Sequence, residues 1–185
     1  MGRRKVLAKT DFVGEVVRSF AINEQINQLL IERLDPGAWQ AKVPLRLRSG
    51  QARGSRTRTI AAIFVHMHHV RRKWIRLSAP HLALPDELDR ACTQSQARKA
   101  LDASGARCVE MIEQMLTASP EKEQKFSRDG WARHWPAGPM MVAYMITHEA
   151  HHRGQVCMLA HQLGFRLSGA VTSAMWSWEG RKDSF

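Results

Sequence analysis

The chain has 185 residues, 44% of them apolar, and a formal charge of +11. That length predicts one domain over residues 1–185, with a core hiding roughly two-thirds of the unfolded surface. No apolar run nears the roughly 20 residues a bilayer crossing requires, which excludes a helical membrane protein, and the positive balance favours solubility and attraction to polyanions.

The chain opens on Met1-Gly2-Arg3-Arg4-Lys5, basic enough for a signal peptide, but Lys9 and Asp11 deny it an apolar stretch. Gly2 invites myristoylation, yet Val6 stands where Ser or Thr is wanted. A cytoplasmic location is expected. Periodicity then predicts a helix over residues 12–34, capped by Asp11 or Thr10 and stopped by Asp35-Pro36-Gly37. Its stripe is Val16, Phe20, Asn23, Asn27, Leu30 and Leu34. Buried, the two asparagines would need partners; if the stripe drifts, both lie at its rim.

Next come Lys42, Arg46, Arg48, Arg53, Arg56 and Arg58, interleaved with Gly50, Gly54 and Ser55. This reads as a flexible basic loop, either solvated or in contact with nucleic acid or an anionic ligand. It has no aromatic residue for base stacking.

A second helix is predicted over residues 55–77, ending before Pro80. Projected at 100° per residue, Ala62, Ile63, His66, Val70, Trp74 and Leu77 share one arc. His68 projects to the far side, and His69 falls beyond the arc's edge. A third helix is predicted over residues 85–117, with a possible kink at Ser104-Gly105. The fourth spans residues 139–163, closed by Gly164, with Met141, Met145, His148, His152, Gln155, Val156 and Leu159 on one face. The tail around Trp176 and Trp178 reads as a short helix or strap packed on the rest. With no β alternation, the expected architecture is all-α, a four-helix bundle. The cysteines, Cys92, Cys108 and Cys157, lack C-x-x-C spacing and are odd in number, which argues against disulfides and for small core residues.

Nine histidines are many for this length, and two trios cluster mid-helix: His66, His68, His69 and His148, His151, His152. Residues four apart stack on one helix face, so His148 and His152 can reach one ion while His151 points away. Neutral imidazoles on a core-facing stripe need partners, and a metal ion supplies one. His66 alone of its trio faces inward and completes the set. Three imidazoles suit Zn or Ni, with Fe, Mn and Cu as alternatives, and leave a coordination position open. His148-Glu149-Ala150-His151-His152 also matches H-E-x-x-H, the metalloprotease pattern with Glu as general base. Its extended form fails, because Gln155 stands where Gly belongs and Met158 where a third His belongs.

Three stretches resemble the DinB/YfiT-like superfamily: "RTIAAIFVHMHHVRRKWI" from Arg58 to Ile75, "VAYMITHEAHHRGQ" from Val142 to Gln155, and "MWSW" from Met175 to Trp178. The resemblance implies a metal-binding four-helix bundle in which one histidine of the second helix and two of the fourth hold a divalent ion. These map onto His66, His148 and His152, the residues already chosen on geometry. It further implies that thiol transferases and hydrolases are among the relatives, and that a homodimer is to be expected.

The expected function is therefore a metal-dependent thiol S-transferase or hydrolase acting on a small molecule, with an anionic group or a thiol. Glu149, or an asparagine such as Asn27, is the candidate to orient the nucleophile, and Arg153 the candidate to meet an anion. The alternative is a non-enzymatic metal-binding stress factor or a nucleic-acid-associated protein. His66 and His148 lie about eight and nine residues into their helices. If both helices start at one end of the bundle, the ion sits roughly 12 Å below the basic loop, which would then border its opening.

Overall fold

The computed structural model describes residues 11–42, 58–118 and 139–181. Helix α1 spans Phe12–Arg33 and starts where the Asp11 carboxylate accepts the Gly14 N–H at 3.0 Å. Such a cap satisfies an amide that has no partner inside the helix, and a first-turn acid also suits the helix dipole. Asp35 then caps the short α2, Pro36–Trp39.

Helix α3, Ile60–Ser78, starts later than the predicted residue 55, because Thr59 takes the cap and accepts the Ala62 N–H at 3.1 Å. Residues 55–57, like most of the basic loop, lie outside the described residues. Helix α4 covers Gln94–Thr117 and opens on a capping box of Thr93 and Gln96. It runs on through Ser104 and Gly105. Helix α5 spans Pro139–Gln162, followed by Gly164 at φ +87°, the left-handed geometry expected of a terminating glycine. The tail forms α6, Gly169–Ala174, and a 3-10 turn at Glu179–Arg181, with Met175 packed on the core.

The predicted third helix begins nine residues too early. Residues 85–93 belong to a connection in which four carbonyls are taken by side chains from elsewhere in the fold. His68 Nε2 meets the Asp86 carbonyl at 2.8 Å, and Arg72 Nε donates to Pro85 O at 2.8 Å. Gln40 donates to Arg90 O at 3.0 Å, and Trp39 Nε1 to Cys92 O at 2.7 Å. With these oxygens satisfied from outside, the segment needs no helical ladder of its own.

Helices α1 and α3 each pack on both α4 and α5. One half of the core joins Leu30, Leu34, Ile60, Phe64, Ala97, Leu101, Val156 and Ala160. The other half joins Phe20, Trp74, Ile75, Cys108, Met111, Met115, Met141 and Met145. The C-terminal halves of α1 and α5 therefore share an end with the N-terminal halves of α3 and α4. The bundle runs up-down-down-up, and the connection from α3 to α4 returns along its length. Helices α3 and α5 thus start at opposite ends, which removes the premise on which the basic loop was placed over the site. No helix among the described residues is long and apolar enough to cross a membrane.

Candidate metal centre

His66 lies in the second turn of α3, while His148 and His152 sit one turn apart near the middle of α5. Antiparallel packing brings these points level. Each ring offers one nitrogen, and the three nitrogens lie within 4.8 Å of one another. The rings of His66 and His152 are 4.7 Å apart between centres, and those of His148 and His152 4.5 Å. His148 Nε2 and His152 Nε2 stand 3.2 Å apart. Two nitrogens bound tetrahedrally to one ion at about 2.05 Å stand about 3.3 Å apart, so the His148–His152 pair has the spacing of two ligands on a zinc-sized cation.

Burial favours the neutral imidazole, the form that ligates metals. His66 is pushed down to about 4, mainly by burial and then by His152 and Arg58. Burial also lowers His152, against a hydrogen bond from its ring to Gln155. Arg58, the last residue of the basic segment, is thus close enough to act on both rings.

Two of the three histidines, His66 and His148, line a cleft of about 240 Å³ together with Val70, Lys73, Trp74, Leu77 and Tyr144. These positions run along α3 away from Arg58 and along α5 toward its start. From His66 and His148 the cleft therefore extends away from Arg58. Trp74 forms its wall, with its ring edge-on to His148 at 5.5 Å and to Tyr144 at 6.4 Å.

Beside the triad lies a buried polar cluster. Arg71 is fully enclosed; its Nε and Nη2 donate to the two oxygens of Glu149 at 2.6 and 2.7 Å, and Nη1 donates to Leu101 O at 2.8 Å. Nη2 also meets Glu24 at 2.5 Å. Asn23 and Asn27 donate to Glu149 Oε2 at 2.6 and 2.7 Å, and their oxygens accept from Arg153 at 2.6 and 2.9 Å. Burial works to raise the Glu149 carboxyl, but the Arg71 charge and these hydrogen bonds outweigh it and hold it below the ordinary range.

This geometry changes several expectations. Asn23 and Asn27 are fully buried, not at the rim. Glu149, the candidate for orienting a nucleophile, has both oxygens committed to Arg71 and the asparagines. It reaches Arg153 only through those asparagines. His68, expected on the far side, is fully buried between Ser104 at 3.1 Å and the Asp86 carbonyl. Arg71, Glu24, Lys73 and Tyr144 went unrecognised in the sequence. The asparagine stripe was the one clue that charged partners had to face α1.

The model of the DinB family matches residues 6–178. The chain belongs to the DinB family. The match covers every described helix, and the three-histidine group that could bind a metal agrees with the metal-binding character of DinB proteins. No curated protein matches this DinB-family chain.

Proposed function

We propose that His66, His148 and His152 hold a divalent ion, and that the protein is a metal-dependent enzyme which transfers a thiol to, or hydrolyses, a small molecule. The observation that carries this reading is the convergence of three imidazoles, two of which line a cleft of about 240 Å³. An all-nitrogen donor set suits Zn or Ni. Bound there, the ion would supply Lewis acidity, lowering the pKa of a water to about 7 or holding a thiol as thiolate.

The chain's own residues supply the rest. Val70, Trp74 and Leu77 give the cleft apolar walls that exclude water from the reacting centre. Lys73 lies near enough to His66 for its charge to be felt there, and its ammonium meets an anionic group of the substrate. Glu149 serves as the anchor that fixes the rotation of α5 between the two histidines, in place of a role as general base. A metalloprotease reading is disfavoured for the same reason, and no strand among the described residues offers an edge for a peptide.

Elemental analysis of untagged protein tests the first half. One ion per chain is expected, lost in His148→Ala and His152→Ala; full occupancy in either variant overturns the assignment. A screen of small thiols and ester acceptors, with and without chelator, tests the second. A metal-loaded protein inactive on every pair would support a binding role instead.

A further inference from the structure

We propose that Gln155 and His151 are positioning residues that set the tautomer of His152; this rests on the reading that the histidine triad holds an ion. His152 presents Nε2 to the triad, 3.2 Å from His148 Nε2, which leaves Nδ1 facing away from it. That atom lies 2.8 Å from Gln155 Oε1. An amide oxygen has no proton to give, so Nδ1 carries the ring proton and donates it, leaving the lone pair on Nε2. A neutral imidazole ligates through that lone pair, and a hydrogen bond at its other nitrogen fixes which one is free.

An amide can turn over. With its NH2 group toward Nδ1, Gln155 would favour the opposite tautomer and put a proton where a ligand atom is needed. His151 decides between the two. Gln155 Nε2 lies 2.9 Å from His151 Nε2, which in the Nδ1–H tautomer of His151 accepts from it and holds the amide with its oxygen toward His152. The spacings place Gln155 within reach of both rings, three residues after His152 and four after His151 on α5. The chain of hydrogen bonds runs from exposed His151 through half-buried Gln155 to His152, which is only 5% exposed. His151 was expected to point away from the site, and so it does. Its function is carried by the amide between.

The test uses the full chain and Zn²⁺ alone, titrated against a chromophoric chelator. Gln155→Leu should weaken zinc binding by about 10- to 100-fold, the usual effect of removing such a partner. Gln155→Glu should keep it, because either carboxylate oxygen accepts from Nδ1. His151→Ala should weaken binding several-fold in the native background and not at all in Gln155→Glu, where no amide needs holding. A purely structural role for His151 would give the same loss in both. Separately, ¹⁵N spectra of the metal-free protein should show the Nδ1–H tautomer of His152, lost in Gln155→Leu. If the native chain takes up no zinc, the metal reading fails, and these spectra still decide the positioning claim. Unchanged affinity in Gln155→Leu, or an unchanged tautomer, overturns it.

Discussion

Arg71→Met tests the buried cluster most directly. The side chain is fully enclosed and is the cation bridging two carboxylates, the buried Glu149 and the largely buried Glu24. Methionine keeps the straight apolar stem but ends about where Arg71 has its Nε, so a small cavity adds to a loss that is mainly electrostatic. Two carboxylates would then face each other without a counter-charge. Their cheapest escape is for one to bind a proton, which at pH 7, from an ordinary value near 4.3, costs about 4 kcal/mol at 1.36 kcal/mol per unit. Measured losses on breaking buried pairs, about 3–5 kcal/mol, agree. For a chain of this size that lowers Tm by about 8–16 °C. Circular-dichroism melts in EDTA would read it without interference from bound metal. The gap between native and variant should narrow as pH falls from 7 toward 4.5. In the variant one carboxyl has a raised folded-state pKa, so acid stabilises its fold. In the native protein Glu149 is held low, so its contribution is present above the ordinary carboxyl range and is lost as pH falls through the folded value. Adding Glu149→Gln and Glu24→Gln to Arg71→Met should recover much of the loss. A variant within about 1 kcal/mol of the native protein at pH 7, or a gap that widens in acid, would refute the account.

Three further outcomes follow from the packing. His68→Ala should cost about 2–4 kcal/mol in a urea melt, because it opens a cavity and leaves the Asp86 carbonyl without its partner, while zinc uptake persists. Gly105→Ala should destabilise by about 1–3 kcal/mol, since a Cβ there would stand 2.9 Å from Glu24 Cγ and 3.2 Å from Arg71 Nη1, both held by the cluster. Chelation should lower Tm in proportion to RT ln(1 + [L]/Kd), because the triad converges only in the folded bundle; an unchanged melt with metal removal verified would show the site contributes little to folding.

The features readable from the sequence were those set by local periodicity. Apolar spacing and chain-breaking residues gave three helices whose ends fall within a few residues of the observed ones, and the bundle followed from their number and length. The triad was readable for the same reason: a four-residue spacing fixes His148 and His152 on one face without knowledge of any neighbour. What only the tertiary structure decided depends on atoms far away in the chain. The start of α4 was hidden because side chains of α2 and α3, and Gln40 between them, satisfy the carbonyls of Pro85, Asp86, Arg90 and Cys92. Helix direction was hidden because the connection from α3 returns the length of the bundle, so equal depth in two helices said nothing about a shared end. Arg71 looked like one more cation in a run of three, and is buried only because α1, α4 and α5 each bring it an acceptor. A helix face can be drawn from one segment, but the partner that makes a buried charge tolerable exists only once the other helices have arrived.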